Sequence, residues 1–188
     1  MGVDNFGKVK GVEKVRCDYI KAEPMRHVLA ALTDENRLVM EVCLATGLRV
    51  SDALQLRPKQ VEKGRFTVYE KKTGKTRRVY LPVELRERLL RAGNEFYCFP
   101  HRYNGRKPRT RAAVWKDVKR AAAAFRLREN VGTHTARKNW AVAQMEKSGG
   151  DLAALQKQMN HSSPEVTLLY AMADKIAAKG GKKNKCSR

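Results

Sequence analysis

Apolar residues in this chain recur at three- and four-residue intervals, and only between Arg65 and Leu81 does the spacing change character. That pattern admits a set of short helices interrupted by one small β element. Pro24 occupies a first helical position, with Val28, Leu29 and Leu32 on the apolar face. Thr33 or Asp34 caps a second helix that runs through Ala45 and stops at Gly47, where a positive φ costs least. A third, short helix buries Val50, Ala53 and Leu54 and ends before Pro58. Phe66, Val68 and Tyr69 then read as one strand and Arg78 to Leu81 as another, with Thr73-Gly74 turning between them.

After Pro82 the helical spacing returns through Leu85, Leu89 and Leu90, and Gly93 ends it. Phe96 to Pro100 reads as a further strand or a loop. Later helices carry Val114, Val118 and the alanines 121–124, then Ala136, Trp140 and Ala143, then Leu155 and Met159 behind an Asp151 cap. Ser163-Pro164 opens a last helix from Glu165 to about Ala173. The expected fold is mainly α with a small antiparallel β-sheet, an α+β arrangement. Residues 1–23 form an arm, linker or short ordered lead, and residues 174–188 a Gly-rich basic tail.

Charge narrows the partners. Forty Lys and Arg against nineteen Asp and Glu leave a net charge of +21. A domain this basic repels itself unless a polyanion neutralises it, and nucleic acid is the usual polyanion. A ribosomal protein or one that binds anionic membrane surfaces shares the same composition. Between Arg102 and Arg128 stand ten Lys or Arg and one acid, Asp117, a stretch suited to phosphate neutralisation or to a solvated face. Cys17, Cys43, Cys98 and Cys186 lie far apart without a CxxC pair, against both a zinc site and a disulfide framework. No apolar run spans a membrane and no signal-peptide core opens the chain, so a reduced, cytoplasmic setting fits.

Several residues have chemical potential that is weak one at a time. His134 and Arg137, three apart at a helix start, project from one face and can grip an anion, or can be a solvated basic helix end. Arg49 follows the glycine turn of Ala45-Thr46-Gly47-Leu48 and opens a helix, with Asp52 as partner or as one half of a surface pair. His161 lies in a loop, Asn160-His161-Ser162-Ser163, before the last helix. Tyr170 follows Val166, Leu168 and Leu169 and, taken alone, reads as a core tyrosine.

Their order is more specific than any one of them. Arg49 after a Thr-Gly-Leu turn, then Lys71-Lys72-Thr73-Gly74-Lys75, then His134-x-x-Arg137, then His161-Ser162-Ser163, then Tyr170, resembles the tyrosine recombinase (phage integrase) family over residues 25–173. The resemblance implies that residues 24–173 are a catalytic domain, with Arg49 and Arg137 binding the phosphate. Lys72 matches the hairpin lysine, ahead of Lys71 and Lys75. His134 matches the His-x-x-Arg histidine, His161 the position that holds histidine or tryptophan, and Tyr170 the nucleophile. Asn160 replaces a usual glycine and Lys138 a frequent histidine.

The implied activity is site-specific cleavage and rejoining of double-stranded DNA through a 3′-phosphotyrosyl intermediate, with no cofactor or metal. Two arginines meet the charge that grows on the non-bridging oxygens. A hairpin lysine with its pKa depressed by basic neighbours protonates the leaving oxygen. The expected assembly is a monomer when free and a tetramer on DNA, bacterial or phage-encoded, with no membrane. Family integrases usually carry a further helical clamp domain, so the chain is either a catalytic domain of a longer protein or a short recombinase without the clamp. A type IB topoisomerase-like activity and a non-cleaving DNA-binding regulator are the competing readings.

Overall fold

The computed structural model describes residues 17–159. Its centre is helix α2 (Asp34–Thr46), in which Val39, Met40, Val42 and Cys43 are fully buried. A helix apolar on more than one face must be covered on more than one side. Around it pack α1 (Ala22–Ala30), α3 (Val50–Ala53), α5 (Val83–Ala92), α6 (Arg111–Ala124) and α7 (Thr135–Lys147). Short α4 (Pro58–Val61) leads into a hairpin of β1 (Arg65–Glu70) and β2 (Lys75–Tyr80). A second hairpin, β3 (Pro100–His101) with β4 (Asn104–Pro108), precedes α6, and α8 (Leu152–Met159) packs on α7. No helix among the described residues is long and apolar enough to cross a membrane.

The expected fold class holds, with local differences that have physical causes. Helix α1 begins at Ala22, two residues before Pro24, and Met25 N–H donates to Lys21 O at 3.1 Å. Pro24 falls within the first turn, where a missing N–H costs nothing. The β element is two ribbons rather than one sheet. The second was invisible to periodicity because β4, Asn-Gly-Arg-Lys-Pro, has no buried residue and so no alternation. Asn94 and Arg109 hold its ends, with Asn94 Nδ2 donating to Gly105 O at 2.9 Å and Arg109 N–H to Phe99 O at 2.7 Å. Gly47 ends α2 at φ +67°, and Asp151 caps α8 by accepting from Ala154 N–H at 2.9 Å, both as the sequence suggests. The final helix expected at residues 165–173, the tail, and residues 1–16 lie outside the described residues.

Thr33 is the N-cap of α2, yet its hydroxyl does not cap its own helix. Its Oγ1 and its N–H both donate to Asp117 Oδ2 of α6, at 3.1 and 3.0 Å, and Asn36 Nδ2 joins them at 2.8 Å. The single acid of the basic stretch thus serves as a carboxylate at the positive end of the central helix. Arg120 holds its other oxygen through Nε at 3.0 Å and Nη2 at 2.6 Å. Burial alone would raise the Asp117 pKa, but the bonds from Asn36, Thr33 and Arg120 lower it below the ordinary value.

Replacing Asp117 by Asn should destabilise the chain by about 1–3 kcal/mol in urea titrations at neutral pH, because buried donors lose a charged acceptor. The wild-type advantage is complete above the unfolded carboxyl pKa of about 3.9 and disappears as pH falls through the lower folded value. An advantage that persists unchanged at the acid end would contradict this role.

Candidate active site

The site begins at the glycine that ends α2. Gly47 N–H donates to Cys43 O at 2.8 Å, and its positive φ turns the chain sharply toward Arg49. The Trp140 ring of α7 lies so close that a Cβ on residue 47 would overlap it. Glycine is therefore required twice, by backbone conformation and by packing. Thr46 fixes the turn further: its Oγ1 donates to Val42 O at 2.6 Å and accepts from Leu48 N–H at 3.2 Å. With Leu48 buried on the other side of the turn, Arg49 emerges in extended conformation at the N-cap of α3.

Glu70 is the point on which the site converges. Along β1, Val68 and Glu70 share the inward face, so the strand ends with a fully buried carboxylate at a position that alternation reserves for an apolar residue. Arg49 Nη1 donates to Glu70 Oε2 at 3.0 Å. Arg137 Nη1 lies 3.6 Å from Oε1, and Arg77 Nε of β2 lies 3.8 Å from the same oxygen. Thr73 Oγ1 of the hairpin turn donates to Oε2 at 3.1 Å. Burial pushes the Glu70 pKa up, but Arg137, Arg49 and Arg77 together pull it below the ordinary carboxylate value. Asp52, also buried, stands 4.0 Å from Arg49 Nη1 and accepts from Lys71 N–H at 3.4 Å, so it is no surface pair. Burial raises its pKa despite the hydrogen bond from Lys71 and the charge of Arg49.

Arg137, third residue of α7, is 1% exposed. Its Nη1 donates to Gly47 O and its Nη2 to Met159 O at 2.8 Å, so one guanidinium joins the glycine turn to the end of α8. His134 is the N-cap of α7 and half-buried. Burial drives its pKa down to about 4, and the nearby charges of Arg111, Arg137, Arg49 and Lys72 add to the effect. His134 is consequently a neutral imidazole at neutral pH, within electrostatic reach of both arginines and of the hairpin lysine. Lys72 is exposed on the turn between β1 and β2. Cys43, fully buried near Arg137, Asp52 and Arg77, is no rival nucleophile, since burial raises its pKa to about 12.

The structure thus gathers Arg49 and Arg137 on one carboxylate, with His134 and Lys72 in their field. His161 and Tyr170 fall outside the described residues. Sequence reasoning missed Glu70 and Arg77. The available signal was an acid at the inward position of a strand followed, across a tight turn, by an arginine. Three arginines against Glu70 and Asp52 leave this region with an excess of one positive charge, in surroundings where water screens little. Such an arrangement favours an oxyanion.

Fold and site together define a mainly helical domain in which three arginines converge on one buried carboxylate. The chain belongs to the phage integrase family, whose model matches residues 18–176. It is 34% identical over 134 residues to the probable integrase/recombinase YoeC of Bacillus subtilis, covering 69% of this chain and 72% of that protein. It is 28% identical over 159 residues to the integrase of Escherichia phage P2, covering 85% of this chain but 44% of that one. The chain therefore spans less than half of the phage protein. The catalytic domain of bacteriophage HP1 integrase matches in fold with a TM-score of 0.62 at 22% identity, covering 92% of this chain and 99% of that domain. A lambda integrase dimer bound to a COC′ core site matches with a TM-score of 0.70 at 21% identity, covering 96% of this chain and 53% of that one.

Glu70→Gln should cost about 3–5 kcal/mol in chemical denaturation, because it removes one partner of a buried charge cluster. A loss below about 1 kcal/mol, as for an exposed pair, would show that the arginines do not depend on it. For His134, the unfolded chain takes up a proton near the ordinary pKa of about 6.5, while the folded chain does so only near 4. Stability should therefore fall as pH drops through that interval, and less so in His134→Gln. Parallel pH profiles for the two proteins would refute the depressed pKa.

Proposed function

We propose that this chain cleaves and rejoins double-stranded DNA at specific sites, through a 3′-phosphotyrosyl intermediate on Tyr170. The observation that carries the reading is the convergence of Arg49 and Arg137 on buried Glu70, with positive charge left over for a phosphate. The family match and the likeness in fold to recombinases solved on DNA, such as lambda integrase on its core site, support the same substrate.

In the proposed reaction the Tyr170 oxygen attacks phosphorus and the bond to the 5′-oxygen breaks. Arg49 and Arg137 hold the non-bridging oxygens as negative charge grows there, and His161 adds a hydrogen bond to them. His134, neutral in the free protein, accepts the proton of the tyrosine hydroxyl. Lys72 donates a proton to the leaving 5′-oxygen, which departs as a hydroxyl. The phosphotyrosyl ester keeps the bond energy for religation, when the same groups act in reverse. No step uses a cofactor.

The exposed basic residues Arg102, Arg106 and Lys107 of the second hairpin, with Arg111 and Lys116 of α6, suit phosphate contacts that position the duplex. The reaction takes place in a tetramer on DNA assembled from chains that are monomeric when free, in the cytoplasm of a bacterium.

The test uses a pool of nicked suicide duplexes with randomised sequence around the nick. The wild-type chain should form a covalent adduct on denaturing gels and Tyr170→Phe should form none. An adduct that survives in Tyr170→Phe removes the nucleophile, and DNA binding without any adduct makes the chain a binding module. Affinity should also fall steeply with salt, and a flat salt response contradicts phosphate docking.

A further inference from the structure

We propose that Arg77 is a positioning residue that sets the catalytic hairpin against the phosphate pocket, acting through Lys72. The inference rests on the reading of Lys72 as the proton donor. Arg77 belongs to β2, opposite Val68 in the hairpin register; its Nε stands 3.8 Å from Glu70 Oε1 and its two terminal nitrogens reach beyond the hairpin. Nη2 donates to Thr46 O at 2.7 Å, the last residue of α2. Nη1 donates to Gln158 O at 3.1 Å, in the last turn of α8. The guanidinium carbon stands 5.4 Å from the centre of the Trp140 ring, the same ring that fills the space a Cβ on Gly47 would need.

One side chain therefore ties the hairpin to α2, α7 and α8. Each of these elements bears on a proposed catalytic group. The end of α2 leads to Arg49, α7 carries Arg137 one turn before Trp140, and α8 precedes His161 in sequence. Among the described residues, the turn that bears Lys72 is held to the site by Thr73 and Lys71, which reach Glu70 and Asp52. Arginine is specified by geometry rather than by charge alone. Two carbonyls on different helices need a planar fork with several donors, and a flat cation suits an indole face. A lysine at position 77 reaches one carbonyl or the other.

Three measurements on the full chain decide the matter. The first compares amide hydrogen exchange of wild type and Arg77→Lys without DNA. Exchange should quicken in residues 71–76 and near 157–159 together, and unchanged protection of the hairpin turn overturns the proposal. The second measures adduct formation on the duplex recovered from the randomised pool. Arg77→Lys should be slower by about 10²-fold, the scale of a misplacement of about 1 Å; a rate near wild type overturns it. The third replaces the leaving 5′-oxygen by sulfur, whose thiolate departs without a proton. Lys72→Ala and Arg77→Lys should then both recover. Recovery of Lys72→Ala alone places the Arg77 effect in the phosphate pocket and overturns the proposal. Failure of Lys72→Ala to recover removes the lysine assignment, and this inference with it. If no duplex is cleaved, the exchange experiment decides. Trp140→Phe, which keeps an aromatic ring beneath Arg77, should show a smaller defect of the same kind and serves if Arg77→Lys does not fold.

Discussion

The carboxylate of Glu70 is the contact on which the site depends. Three guanidinium groups within 4 Å of one another's partner repel, and without a counter-charge they would be driven apart or toward water. A fully buried carboxylate lets them stand together in a poorly screened interior. It also ties the hairpin, the glycine turn and the start of α7 to a common point, so the cluster is tertiary structure as well as electrostatics. Glu70 cancels one charge of three, and Asp52 is set farther from Arg49. In the proposed function the remaining excess is what receives the phosphate.

Much of this architecture was legible in the sequence because it follows from local rules. Gly47 ended a helix by its φ, Asp151 capped one, and the turn at Thr73-Gly74 separated two strands. Arg49, His134 and Arg137 were legible only in combination, since each alone suits an exposed basic surface. Glu70 was not legible, because burial of an acid at an apolar position is a tertiary outcome that alternation argues against. Arg77 was one of several arginines in a basic hairpin; alternation with Val79 and Leu81 sets it on the inward face, away from exposed Arg78, but does not say what it meets there. The second hairpin escaped for the opposite reason: its strands bury nothing, so there was no pattern to read.

Asp117 shows the same limitation on the structural side. In sequence it is an isolated acid within a basic run, and its place at the start of α2 depends on how α6 crosses that helix. The central helix is thus held at both ends by residues distant in sequence. Asp117 receives the donors at its start, and Arg77 and Arg137 hold the carbonyls of Thr46 and Gly47 at its end. Fixing both ends of α2 fixes the direction in which the chain leaves Gly47, and that direction decides where Arg49 points.

The choice of carbonyls at the second end has an electrostatic reason. Orienting an arginine with a carboxylate neutralises it, and a site with one acid per arginine would have little left to attract a phosphate. A backbone carbonyl orients the guanidinium equally well in geometry while carrying no net charge. Arg137 is aligned by Gly47 O and Met159 O, and Arg77 by Thr46 O and Gln158 O. Two of these acceptors lie at the C-terminal end of α8, where the helix carries partial negative charge that favours a cation without cancelling it. The cluster thereby obtains rigid arginines from helix ends and keeps the charge that Glu70 leaves uncancelled, which the proposed function assigns to the transition state. Preorganisation of this kind requires the helix ends to arrive together, which accounts for the investment in Gly47, Trp140 and Arg77 around a cluster of arginines that only one of them joins.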